Sequence, residues 1–183
     1  MLYYIHGYLS SPNSTKGSLF KKELNAEAVK YRDCKPEELV ISDCVKEIKK
    51  AVGDDENAVL LGSSLGGFLS AQVAYEKPEI KQLVLFNPAI IPPDVNIENI
   101  EGMPQRILRD MKKPALFEEK LNCNIFLIVG TEDSVVPNEW SIQFAKKQEA
   151  TIHFLEDDHR LSKNVKKLPQ MIHCILDKKT LNM

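Results

Sequence analysis

The sequence predicts an α/β fold: a three-layer sandwich of about six mostly parallel strands with helices on both faces. Three observations carry this. Short continuous apolar runs recur along the 183-residue chain, longer amphipathic stretches separate them, and a glycine-rich turn at 62–67 joins one apolar run directly to a helical stretch.

Residues 2–5 (LYYI) form the first apolar run, which ends at His6-Gly7. Residues 8–16 are rich in Ser, Pro and Asn and read as a loop. A short helix is expected over 18–24 and a weak second strand over 28–31. Pro36 can open a helix, because proline is tolerated in a first turn, and Glu37 and Glu38 suit its positive end. Ile41, Val45, Ile48 and Val52 then recur as one buried stripe, ended by Gly53. Residues 58–61, 83–86 and 125–129 read as strands buried on both faces, with a helix over 65–75 between the first two. Trp140 and Phe144 share a face of a helix after Pro137, and 151–155 is the last strand. Pro169 starts a closing helix with Ile172, Ile175 and Leu176 inward. Strands alternating with helices favour right-handed crossovers and a parallel sheet. Residues 92–122 break the rhythm with Pro92, Pro93, Pro104 and Pro114 and one helical stretch near 105–111. Within a single domain, 1–183, they read as a small cap-like insert over the sheet's C-terminal edge.

The composition, 43% hydrophobic and 27% charged, is that of an ordinary soluble domain. A net charge of -2 argues against a nucleic-acid partner. The N-terminus shows no basic segment followed by a long apolar one, so no signal peptide is expected. No apolar stretch reaches the ~20 residues of a membrane helix, so no membrane partner is expected either. Cys34, Cys44, Cys123 and Cys174 are widely spaced, without a CxxC. They read as reduced, mostly buried thiols of a cytoplasmic protein, not as zinc ligands or disulfides. Nothing in the chain fixes an oligomeric state.

The chemistry centres on Gly62-Ser63-Ser64-Leu65-Gly66-Gly67, which contains G-x-S-x-G around Ser64. At ordinary Gly and Ser frequencies the pattern arises by chance roughly 0.06 times in such a chain. The strand-like run before it and the helical stretch after it give it weight. A serine hydroxyl needs a base to become nucleophilic, and it must stay exposed while its neighbours pack. A strained strand-to-helix turn provides that exposure, with glycines where side chains would collide. Ser63 is the competing nucleophile but lacks glycine at each second neighbour.

A base and an acid should follow in the order Ser, acid, His. The segment Gly130-Thr131-Glu132-Asp133 follows the 125–129 strand, and Glu156-Asp157-Asp158-His159 follows the last strand. Both loops lie at the sheet edge that carries Ser64. Asp133 is thus the orienting acid and His159 the general base, with Glu132 as the alternative acid. Asp157 and Asp158 are too near His159 in sequence to orient its far nitrogen and read as a solvated turn. Asn87 ends the 83–86 strand, but an amide cannot stabilise an imidazolium by charge. His153 reads as a structural residue pointing into a packed layer, His173 as one in the closing helix, and His6 as one holding its loop. The oxyanion hole is expected from the backbone N–H of Leu65 and of Tyr8, with Leu9 second. These side chains and a water suffice for acyl transfer to Ser64 from a small-molecule ester or thioester, so no metal or organic cofactor is expected. The apolar residues of 90–117, such as Ile91, Leu108 and Met111, read either as core packing or as a lid for an aliphatic acyl chain.

Taken together, His6-Gly7-Tyr8, Gly62-x-Ser64-x-Gly66-Gly67, Gly130-x-x-Asp133-x-x-Val136-Pro137 and the late His159 resemble the α/β-hydrolases over essentially the whole chain. A closer resemblance is to the YqiA-like small esterases. It is carried by residues 6–16 (HGYLSSPNSTK), by the 62–67 turn, by Asn87-Pro88-Ala89 and by Asp158-His159. The resemblance implies a serine esterase acting on esters, acyl thioesters included. A thioesterase or amidase on the same triad, or a binding protein that keeps the fold, are the alternatives.

Overall fold

The computed structural model describes residues 1–177, so the last six residues of the expected 1–183 domain lie outside the described residues. Six strands, β1 (Leu2–Ile5), β2 (Glu27–Ala28), β3 (Val59–Ser63), β4 (Gln82–Phe86), β5 (Asn124–Gly130) and β6 (Thr151–Leu155), form one sheet. Its order is β2-β1-β3-β4-β5-β6, and every neighbouring pair is parallel. The chain leaves β1 for β2 on one side and returns as β3 on the other. That reversal opens a crevice at the carboxyl ends of β1 and β3.

Side chains alternate across the sheet, as the pleat requires. Ile5, Leu60, Leu85 and Leu127 face one apolar layer, with Val45 and Ile48 of α2 (Ile41–Val52), Phe68 of α3 (Leu65–Glu76) and Phe144 of α6 (Asn138–Gln148). Tyr4, Leu61, Phe86 and Ile128 face the other, with Phe20 of α1 (Thr15–Leu24) and Ile172 of α7 (Leu168–Asp177). The helix expected over 18–24 thus starts three residues earlier, where the Ser14 hydroxyl accepts from Gly17 N–H and caps it.

The helix expected to open at Pro36 is broken. Pro36–Glu38 make one 3-10 turn, the backbone extends at Leu39, and α2 begins at Ile41. In a continuous helix Leu39 would point away from the Ile41–Val45–Ile48–Val52 stripe. The break lets it turn inward, where it is fully buried. Arg106 holds the break by donating to the Glu37 and Leu39 carbonyls.

Two expectations about burial fail. His153 is exposed, and Phe154 is 41% exposed, because β6 ends the sheet with a neighbour on one side only. Of the four cysteines, Cys44 alone is buried. Cys34 and Cys174 are exposed. No helix among the described residues is long and apolar enough to cross a membrane.

Residues 92–122 contain α4 (Gln105–Met111) and a helical turn the sequence reading missed, α5 (Ala115–Glu118). Ile107 and Leu116 are buried in the α2–α3–α6 layer. Ile100, Met103, Leu108 and Met111 also line a cavity above the carboxyl ends of the strands.

Candidate active site

Ser64 links β3 to α3 with φ 54°, a left-handed conformation that a serine adopts only under constraint. The constraint is visible. Its N–H donates to Phe86 O (2.9 Å), and its carbonyl accepts from Gly67 N–H and Ala89 N–H. A Cβ on Gly62 would lie 2.5 Å from Gly66 O, and one on Gly66 would lie 2.1 Å from Ile5 O. Pro88 packs on Gly67, where a Cβ would meet its ring at 2.7 Å. Asn87-Pro88-Ala89 therefore buttresses the turn from β4. Within 60–74 every residue except Ser64 is buried.

The loop after β1 lies against this serine. A Cβ on Gly7 would be 3.3 Å from Ser64 Cβ and 3.8 Å from its Oγ. Arg32 fixes the loop's backbone, donating to Tyr8 O (2.6 Å) and Ser10 O (3.0 Å). His6 is buried and stacks on Tyr31 at 4.3 Å, with Nδ1 donating to Gly7 O. Burial pushes its pKa down to about 4. The Gly7 hydrogen bond opposes that shift, and the Arg32 charge adds to it. His6 is therefore neutral at pH 7 and serves the loop. Leu65 is the first residue of α3, and first-turn N–H groups have no acceptor within their helix. Tyr8, Leu9 and Ser64 line the same cavity.

Asp133 and His159 meet across two loops, with Asp133 Oδ2 2.7 Å from His159 Nδ1. The other carboxylate oxygen, Oδ1, accepts from Val135 N–H (2.8 Å) and Val136 N–H (2.9 Å). The carboxylate is thus oriented and nearly sealed from water, at 1% side-chain exposure. An ionised carboxylate can only accept, so Nδ1 carries the proton and Nε2 is left free to take one. Glu132 turns away to Lys163 on the surface. His159 and Ser64 line one cavity of about 700 Å³, and Val136, Trp140, Ile91 and Met111 contribute to its apolar wall.

The histidine loop is held by residues the sequence reading misjudged or passed over. Asp157 is fully buried, not part of a solvated turn. Its carboxylate collects Asp158 N–H, Lys163 N–H, and both the backbone N–H and side-chain amide of Asn164. Burial pushes its pKa up, but these hydrogen bonds together prevail and hold it below the usual range. Asp158 Oδ1 accepts from Arg160 N–H and Ser162 N–H. Asn87, dismissed as an acid, is the other anchor. Its amide donates to Asp158 O (3.2 Å) and His159 O (2.9 Å), and its Oδ1 accepts from Gly130 N–H (2.8 Å). One side chain at the end of β4 thus joins the histidine loop to the strand that leads to Asp133. Lys16 adds a third tie, from Nζ to Arg160 O (2.7 Å). The place of Asn87 at a strand end was readable; its three partners, more than 40 residues away in sequence, were not.

Comparison with known proteins agrees with this architecture. Among curated proteins, the mitochondrial palmitoyl-protein thioesterase ABHD10 of Homo sapiens is 25% identical over 221 residues, covering 96% of this chain and 72% of its own. The Pongo abelii protein of the same name matches to the same extent. Among solved structures, Est1E from Butyrivibrio proteoclasticus with bound ferulic acid superposes with a TM-score of 0.80 at 18% identity, covering 99% of this chain and 89% of that one. Mouse alpha/beta hydrolase domain-containing protein 10 gives 0.74 at 20% identity, covering 97% and 89%. The fold is that of the α/β-hydrolases. The model of the uncharacterised protein family UPF0227 matches residues 1–175, and the chain belongs to that family.

Proposed function

We propose that this UPF0227 member is a serine hydrolase that cleaves carboxylic esters or thioesters through an acyl-enzyme. The observation that carries the reading is the buried Asp133 carboxylate bonded to His159 Nδ1, with His159 and the strained, half-buried Ser64 lining one cavity. In this mechanism His159 Nε2 takes the Ser64 proton as Oγ attacks the substrate carbonyl. The resulting oxyanion is met by the N–H groups of Leu65 and Tyr8, reinforced by the N-terminus of α3. The tetrahedral intermediate collapses, the C–O or C–S bond breaks, and His159 returns the proton to the departing alcohol or thiol. Water, deprotonated by His159, then releases the acid and restores the serine. Side chains and water carry every proton, so the reaction draws on no cofactor.

The apolar wall supports an aliphatic or aromatic acyl group, and we assign to residues 92–122 the role of a cap over it. The curated relatives are named thioesterases and one structural neighbour holds ferulic acid, which supports ester and thioester substrates alike. The free thiols of Cys34, Cys44 and Cys174 support a reducing, cytoplasmic setting.

Replacing Ser64 by Ala tests the reading. The variant should keep its melting temperature, lose hydrolysis of p-nitrophenyl butanoate by a factor on the order of 10³ or more, and resist fluorophosphonate labelling. Unchanged turnover would refute the assignment.

A further inference from the structure

The cavity has a second character beside its apolar wall. Lys16, the second residue of α1, lines it together with Ser10, Ser14, Ser162 and Arg160. Lys16 is only 8% exposed. Its ammonium has three N–H donors, and the bond it makes is to a neutral carbonyl, Arg160 O. Among the described residues no carboxylate lies within ion-pairing distance of it. The nearby acids are committed elsewhere. Asp157 spends both oxygens on the 158–164 backbone and the Asn164 amide, and Asp158 Oδ1 is taken by two backbone N–H groups. A buried cation without a counter-charge is costly, and burial pushes the Lys16 pKa down to about 8 while Asp158 partly restores it. Arg160 adds an exposed second cation at the same end. Glu101, exposed on the 92–122 segment, is the acidic side chain among the lining residues.

The place of this positive end in the reaction follows from His159. The imidazole that returns a proton to the leaving group must lie beside it, and Lys16 is bonded to the very next residue. We propose that Lys16, helped by Arg160, recognises an anionic group on the leaving half of the substrate. The preferred substrate then joins an apolar acyl group to an alcohol or thiol that bears a carboxylate or a phosphate. This rests on the serine hydrolase reading and adds to it a substrate class.

The test uses aryl butanoates whose phenol carries a para carboxylate, a para phosphonate or a neutral para carboxamide. Intrinsic reactivity cancels when kcat/KM ratios are compared between enzyme variants. The anionic-to-neutral ratio should fall at least about tenfold in Lys16→Gln and be largely restored in Lys16→Arg. Whichever of carboxylate and phosphonate loses more identifies the preferred anion. An equal loss on all three esters would overturn the proposal and make Lys16 a tether of the histidine loop. So would a ratio that does not move, or a dependence that appears only with p-nitrophenyl hemisuccinate, where the anion sits on the acyl half. Calorimetric binding of para-hydroxybenzoate and para-hydroxybenzamide to the unmodified protein gives a readout independent of variant folding and of turnover. The acid should bind at least about tenfold tighter, and equal binding would overturn the proposal. An inert Ser64 with this preference intact would sink the hydrolase reading alone.

Discussion

The serine turn and the histidine loop are both short segments at the carboxyl edge of one sheet, yet they are held in different ways. The serine turn is fixed by contact. Gly62 and Gly66 bring backbone to within a distance no Cβ allows, and the adjoining helix is buried on every side. The histidine loop is fixed by hydrogen bonds, some reaching across the molecule from Asn87 at the end of β4 and Lys16 on α1, others gathered within the loop by the buried Asp157. A contact that excludes a side chain writes itself into the sequence as glycine. A hydrogen bond, whether between distant segments or within a loop, leaves an ordinary Asn, Lys or Asp. The nucleophile is therefore locked by steric exclusion, which tolerates no substitution. The base is held by bonds that can be removed one at a time.

Gly66→Ala tests the first half of that contrast and carries the largest expected effect. The new Cβ would sit 2.1 Å from Ile5 O and 2.6 Å from His6 O, backbone atoms at the end of β1 that cannot step aside. The cost should be about 4 kcal/mol or more, a fall in melting temperature of roughly 10 °C for a domain of this size, with activity lost. Thermal denaturation measures it. A variant that melts like the parent would show the serine turn to be as adaptable as the loop.

Asn87→Ala tests the second half. It removes two donors to the histidine loop and one acceptor for Gly130 without touching the cavity wall. A displaced imidazole should lower kcat on the order of 10²-fold, leave KM within about threefold, and cost less stability than Gly66→Ala. Steady-state kinetics separates the cases. A loss in KM, or a melting shift larger than that of Gly66→Ala, would make Asn87 a core residue and erase the distinction between the two loops.

The same contrast explains how far the sequence could be read. The strands β1, β3, β4 and β5 were visible because parallel strands buried on both faces are continuous apolar runs, and β1 and β6 have the expected bounds, whereas the second strand, expected over 28–31, shares only Ala28 with β2. The fold class, and the family that the opening motif and the 62–67 turn pointed to, follow from such local patterns. The misreadings all depended on the surroundings. The break at Leu39 exists because a distant layer could bury that side chain. His153 is exposed because β6 has no outer neighbour, and Asp157 is buried because Asn164 and Lys163 fold back over it. Proximity in sequence made Asp157 look like a solvated turn, although a carboxylate that gathers this many N–H groups is what a tight loop needs when it has few apolar residues to pack.

Glu132 gives the smallest effect and the sharpest discrimination, because it neighbours Asp133 and was the alternative acid. Its carboxylate pairs with Lys163 at 2.9 Å, both side chains about half exposed, at 51% and 54%. Such a pair contributes little, roughly 0–1 kcal/mol, because water screens it and two long side chains must be ordered to form it. Glu132→Gln should therefore leave kcat/KM within about twofold and shift the melting temperature by no more than about 2 °C. The Lys163 backbone N–H still reaches Asp157 in that variant, so the loop keeps its internal anchor even without the surface pair. A large kinetic loss would mean that the imidazole takes its orientation from the exposed carboxylate instead of the buried one. The histidine loop would then be organised from its surface side, and the bonds from β4 and α1 would be incidental to it.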